Sequence, residues 1–338
     1  MDESAHPPPV EHLAELVDAG AYDDAIACLE RFETAPTEER KAALGTLRRF
    51  EADESAVGPL LPTLSPFFTD EERSVRLKTA KLFVAVSERD PDAVVSILPV
   101  LTDRLADPDE FYYVRARAAE ALGNVALEHA DEVASPAVVA ELQIGLSFDE
   151  PEVKEKLAKA LADIALSDPD RLDHRVPNLA EHLGDDDELV RYYLCTALAA
   201  VGCAAPEALA EEADALAARL GDENDYVRGR AAEAVGLLAR ADGGDSLSPE
   251  TTSRLREGCD NETAFVRGRA RFALDAMDGR ERPSEGSIEV GALDGLRATT
   301  DEAVEEITSP DGDGVCPSCG LSLPDFGPPM CPRCGSPY

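Results

Sequence analysis

A valine followed by a basic residue recurs six times, as Val75-Arg76, Val114-Arg115, Val153-Lys154, Val190-Arg191, Val227-Arg228 and Val266-Arg267. The intervals are 39, 39, 37, 37 and 39 residues. A motif at so constant a period marks one supersecondary unit repeated along the chain. Each copy carries the same pattern after its Val. Eight residues on stand Phe83, Leu122, Leu161, Leu198, Val235 and Leu274, and eleven on stand Val86, Val125, Ile164, Val201, Leu238 and Met277. Offsets of 0, 8 and 11 fall on one face of an α-helix. Alanine at offset 7 (Ala121, Ala160, Ala197, Ala234, Ala273) lets neighbouring helices approach closely.

Each helix is preceded by a turn carrying an acid: Asp70, Asp107, Asp149, Asp185, Asp222 and Asp260. A weaker apolar segment precedes each turn, as in 92–105, 137–146 and 208–220. The unit is therefore a helix A, an acidic turn and a helix B. One such pair cannot bury its own apolar face, whereas a stack of them can.

In its period, its turn Asp and the Val-Arg that opens helix B, the segment 56–278 resembles HEAT repeats. The resemblance implies an all-α fold, a right-handed α-solenoid superhelix whose B helices line a concave face. It also implies that macromolecules are the usual ligands. The second repeat departs from the pattern, with Glu110-Phe111-Tyr112-Tyr113 lengthening its turn, and the third has Lys154 in place of Arg. Residues 1–55 lack the signature but read as helices, so they are expected to be an N-terminal helical cap, which a solenoid needs.

Two basic rows run along the B helices. The first is Arg76, Arg115, Lys154, Arg191, Arg228 and Arg267. The resemblance implies that these residues pair with turn aspartates in a structural ladder between repeats. The second row, three residues after each Val, is Lys78, Arg117, Lys156, Tyr193, Arg230 and Arg269. It is expected either to be salt-bridged to nearby Glu or to form a partner-binding surface on the concave face.

Four of the eight cysteines lie in Cys316-Pro317-Ser318-Cys319-Gly320 and Cys331-Pro332-Arg333-Cys334-Gly335. A two-residue gap lets both sulfurs of a pair face one ion, and four thiolates fill a tetrahedral Zn²⁺ site with no position left for substrate. The segment 315–338 resembles a zinc ribbon, with Cys316, Cys319, Cys331 and Cys334 as ligands of a structural Zn²⁺. A rubredoxin-like iron site is the other possibility, although its knuckles usually stand farther apart. Between repeats and ribbon, 279–314 has three Arg against ten Asp and Glu and reads as an acidic flexible linker. Within it Thr299-Thr300-Asp301-Glu302 resembles a capping box leading into a short helix over 303–307.

The chain holds 69 Asp and Glu against 32 Lys and Arg, a net charge of −37, spread without long blocks. With 44% hydrophobic residues it is not a disordered polyanion. Acidity on every surface resembles the composition of salt-in halophiles, whose molar salt shortens the Debye length to about 3 Å. The sequence has no run of 18 apolar residues and an N-terminus unlike a signal peptide, and free thiols suit a reducing compartment. A cytoplasmic location without membrane association is expected. Nucleic acid is disfavoured as a partner, because a basic face would have to outweigh this excess of acid.

No His is followed by Glu, so the ligand pairs of HEAT-like di-iron hydroxylases are missing, and there is no phosphate loop or nucleophile motif. The expected function is therefore a non-enzymatic protein–protein adaptor or scaffold. It would use the concave face, with the ribbon as a second docking element and a protein partner of unstated identity. Similar repeats also occur in lyases that attach bilins to phycobiliproteins, so an enzyme acting on a protein-bound cofactor is the alternative. Weak nucleic-acid association is a third reading.

Overall fold

A computed structural model of the chain describes residues 8–50, 54–280 and 289–308. Among them the regular elements are all helices, with no strand. The N-terminal unit comprises α1 (Val10–Asp18), α2 (Tyr22–Glu30), α3 (Thr37–Leu47) and the single turn α4 (Glu54–Val57). Between α1 and α2 the chain reverses at Gly20, whose φ of 66° is a left-handed conformation open to glycine.

Helix pairs follow in regular order. The first is α5 (Leu61–Phe68) with α6 (Arg73–Ser87), and the second joins α7 (Pro91–Val94) and α8 (Leu98–Ala106) to α9 (Tyr112–Val133). Next come α10 (Pro136–Gly145) with α11 (Pro151–Ser167), and α12 (Val176–Glu181) with α13 (Glu188–Ala204). The last two are α14 (Ala213–Ala218) with α15 (Asp225–Asp242), and α16 (Pro249–Gly258) with α17 (Ala264–Met277).

The starts of these helices follow from local chemistry. Pro91, Pro136 and Pro249 stand in the first turn, where a missing N–H costs nothing. The side chains of Asp90, Ser135, Asp187, Asn224 and Ser248 accept hydrogen bonds from the free amides of the helices they precede.

The six periodic valines are all buried, and so are Phe83, Leu122, Leu161, Leu198 and Val235. Leu274, in the last B helix, is half-buried, as suits an end of the stack. Consecutive B helices pack far more closely on one another than consecutive A helices do. Small residues permit this: a Cβ on Gly123 of α9 would lie 2.8 Å from the Ala160 Cα of α11. A two-layer stack bends toward its tighter layer, so the B helices form the inner face.

After the repeats comes α18 (Leu293–Thr308), which packs on the inner side against α11 and α13. The reading of 279–314 as a tether is corrected over 289–308, because this stretch folds back onto the B helices. The capping-box reading is corrected too. The helix begins at Leu293, ten residues earlier than expected, and Thr299 and Thr300 lie buried within it. The ribbon segment 315–338 lies outside the described residues.

Candidate functional site on the inner face

The first basic row sits between neighbouring repeats. Arg191 forms a two-pronged pair with Asp222 of the next turn, at 2.8 and 2.9 Å. Arg76 does the same with Glu110 at 2.8 Å, and Lys154 reaches Asp185 at 2.6 Å. A second device accompanies these pairs. Arg76, Arg191, Arg228 and Arg267 each donate from one nitrogen to two carbonyls of their own turn, such as Asp185 and Asp186 for Arg191. The planar guanidinium can serve both turns at once, which an ammonium cannot.

The acids of the ladder differ in part from those expected. Glu110 takes the place assigned to Asp107, since the lengthened turn carries the acid further along. It accepts from Arg76 and, at 3.1 Å, from Arg104. In the same turn Arg115 reaches back to the Leu105 carbonyl at 2.8 Å and to Glu141. Arg228 pairs with Asp225 of its own helix. At Asp222, burial would push the carboxyl up, but hydrogen bonds from Arg191 and the Asn224 amide, with the charges of Arg191 and Arg219, hold it below its usual range.

The second basic row divides into two halves. Lys78 is exposed and donates to the Lys41 carbonyl at 3.2 Å. Arg117 pairs with Glu120, while Lys156 lies 3.2 Å from Glu120 and 2.9 Å from Glu155. Beside them a chain of polar side chains crosses three helices. Ser87 accepts from Asn124 at 2.9 Å, and Lys159 donates to Asn124 at 2.9 Å and to Asp163 at 2.8 Å. Asp163 is buried, which raises its carboxyl above the ordinary value despite the neighbouring Lys159.

Tyr193, Arg230 and Arg269 are buried, and their assignment to an open partner-binding surface is corrected: α18 packs over Arg230 and Arg269. Arg230 has no exposed surface. It donates to Glu233 at 2.8 Å, to the Tyr192 hydroxyl at 3.2 Å and to the Thr299 and Thr300 hydroxyls at 2.9 and 3.1 Å. Arg269 donates to Glu233 at 2.7 Å and to Thr299 at 3.1 Å, stacking 3.4 Å above the Phe265 ring centre. Glu233 also accepts from the Gly291 amide at 2.8 Å. Burial alone would raise the Glu233 carboxyl, yet the two flanking guanidiniums hold it below its ordinary value. Arg297 of α18 donates to the Leu166 and Ser167 carbonyls at the end of α11.

Sequence reasoning missed Glu120 and Glu233, although a signal was present. Each stands three residues after a second-row arginine, a spacing that places the pair on one helix face. The partners on α18 had no local signal, because they are 30 to 131 residues from the groups they meet.

Stacked helix pairs, a ladder between turns and an inner face of B helices define an all-helical repeat solenoid. The chain belongs to the HEAT-repeat family, whose model matches residues 98–174 and 176–275. Among solved structures it is similar to an engineered protein at 21% identity, with a TM-score of 0.59 over 65% of this chain and 97% of that one. A second engineered protein shares 22% identity at a TM-score of 0.59, over 80% of this chain and 69% of its own. A designed armadillo repeat protein shares 17% identity at a TM-score of 0.55, over 64% and 99%. At such identities the likeness speaks to the fold alone. No curated protein matches the chain. Among the described residues no helix is long and apolar enough to cross a membrane.

Proposed function

We propose that the chain is a non-enzymatic protein–protein interaction scaffold, working in a high-salt cytoplasm and binding a protein partner on the open, N-terminal half of its inner face. The observation that carries this reading is the row Lys78, Arg117 and Lys156 on successive B helices. Lys78 is exposed, while Arg117 and Lys156 are half-buried and share the buried Glu120, with Glu155 beside Lys156. An acidic peptide segment suits this row.

The experiment is a crosslinked pull-down from native lysate held at molar KCl, read by mass spectrometry. A reproducible protein partner that disappears when Lys78, Arg117 and Lys156 are changed to Glu, with helicity intact, is the expected result. A partner indifferent to that triple change would remove the inner face from the proposal.

The four thiolates of Cys316, Cys319, Cys331 and Cys334 would hold one structural Zn²⁺ and so fold a second docking element. Support comes from the spacing of the two Cys-Pro-x-Cys-Gly knuckles and the ion's preference for four thiolates. One equivalent of zinc by elemental analysis, lost in Cys319→Ser, is expected. Iron in its place would refute the assignment.

A further inference from the structure

The ladder between turns breaks at Arg228. Arg76 and Arg191 turn the edge formed by Nε and Nη2 onto an acid of the next turn, and keep Nη1 for carbonyls of their own turn. Arg228 keeps the second half of that arrangement, with Nη1 donating to the Asp222 and Glu223 carbonyls. Its Nη2 pairs with Asp225 of its own helix. Among the described residues, no acid of the turn before α17 meets it.

One residue causes the break. Five positions before the periodic Val stand Asp185, Asp222 and Asn261. All three side chains sit alike, with Oδ1 accepting from the amide two residues on: Asp187 at 3.0 Å, Asn224 at 3.1 Å and Thr263 at 2.7 Å. In Asp185 and Asp222 the other oxygen accepts from the cation of the preceding repeat. In Asn261 that place belongs to Nδ2, a donor, which turns to Asp225 at 3.3 Å and has nothing to offer a guanidinium. The turn before α11 lacks the acid too, but there Phe148 fills the position, with Arg115 5.0 Å above its ring centre. Beside Asn261 the fold instead has a cavity of about 270 Å³. The buried Leu255, Val266 and Ala270 give it an apolar side, and Arg228, Arg254 and Asn261 give it donors. Arg254 is tied by one nitrogen to Glu250 at 2.8 Å, while its other makes only long contacts, of 3.5 Å, to the Ala217 and Ala218 carbonyls. Asp222 also lines the cavity, but both its oxygens are engaged by Arg191.

We propose that this cavity is a binding site for a carboxylate carried on a short apolar stem. The carboxylate takes the role of the ladder acid, accepting from the Nε of Arg228, from Arg254 and from the second hydrogen of the Asn261 amide. Two guanidiniums suit the two oxygens of such a group. The stem lies against Leu255, Val266 and Ala270. The volume is below the roughly 300–1,000 Å³ of pockets for drug-sized ligands, so the occupant is one side chain or one small acid. A glutamate of a protein and a free short-chain acid share this chemistry. The site lies between turns, apart from the row Lys78, Arg117 and Lys156, and stands independently of the inner-face reading.

The test is a nitrogen-15 NMR titration of the full chain in molar KCl, with chloride replaced mole for mole by butyrate. Ionic strength and screening then stay constant throughout. The arginine Nε–H signals and the Asn261 side-chain amide are followed. Saturable shifts are expected at Arg228, Arg254 and Asn261, with Arg115 unmoved as the internal control. Butyramide, of the same shape without the charge, should give none. A capped tripeptide with a central glutamate presents the same group from a peptide. Half-saturation at a lower concentration than butyrate assigns the site to a protein side chain, and the reverse order assigns it to a free acid. Asn261→Asp supplies the acid from the chain itself, as at Asp185 and Asp222, and should abolish the saturable shifts. Arg254→Gln, at a partly exposed residue, should weaken binding about tenfold or more, the size of one lost charged hydrogen bond.

Shifts that grow without saturating, that move Arg115 equally, or that persist undiminished in Asn261→Asp or Arg254→Gln would overturn the proposal. The pull-down on Lys78, Arg117 and Lys156 touches none of these residues, so either reading can fail while the other stands.

Discussion

At the scale of single residues, the ladder depends on the geometry of the guanidinium. Arg191 serves Asp222 in the next turn and two carbonyls in its own, so its loss strands acceptors on both sides. Arg191→Ala is expected to cost about 2–3 kcal/mol, below the full penalty for a broken buried pair because Arg219 still faces Asp222 at 3.1 Å. Urea unfolding would measure it, and Arg191→Lys should recover only part, since an ammonium cannot fork. Asp222 and Asp163 should respond to pH in opposite ways. Asp222 has a lowered pKa in the fold, so its contribution is present at neutral pH and is lost as pH falls through that lowered value. Asp163 is raised above its ordinary 3.8, so the folded chain holds that proton longer than the unfolded one. Its penalty grows as pH rises from 3.8 to the raised value and is complete above it. Asp163→Asn should remove that slope, visible as a wild-type-minus-variant difference in urea midpoints across this window. A constant difference would count against a raised Asp163.

At the scale of elements, close approach of B helices competes with helix propensity. Gly123→Ala would gain about 1 kcal/mol from propensity alone. The added Cβ would lie 2.8 Å from the Ala160 Cα and 2.9 Å from an Asp163 oxygen, and overpacking costs about 1–3 kcal/mol. A net loss of stability is expected, and a raised melting temperature would show that the two helices can move apart. The A and B helices were legible from the sequence because each unit repeats its apolar offsets and its caps locally. The turn acids were legible less completely: Glu110 replaces Asp107, since the extra residues of one turn shift which carboxylate reaches Arg76. Helix α18 was legible only as a short capped segment. Its composition resembles a linker, and its burial depends on Arg230, Arg269 and Tyr192, which belong to other helices.

At the scale of the whole molecule, the net charge of −37 makes self-repulsion across the stack depend on salt. Self-repulsion across a solenoid is screened at molar salt, where the Debye length is about 3 Å, and reaches about 30 Å at 0.01 M. Transfer from molar to millimolar KCl should lower helicity and the melting temperature, with α18 releasing before the repeats because it carries five acids against one Arg. Hydrogen exchange resolved along the chain would show that order, and unchanged circular dichroism would count against a salt-dependent fold. What the sequence determined by itself is the repeat: its period, the face each B helix buries and the arginine between turns. These are set by residues within one unit and its neighbour, and a stacked solenoid is built from such near contacts. What only the tertiary structure decided is which part of the inner face is open. The second basic row has the same spacing throughout, yet Lys78, Arg117 and Lys156 remain near the surface while Arg230 and Arg269 are sealed beneath α18. That difference arises from contacts between residues up to 131 positions apart, which depend on where the chain returns in space and leave no local pattern.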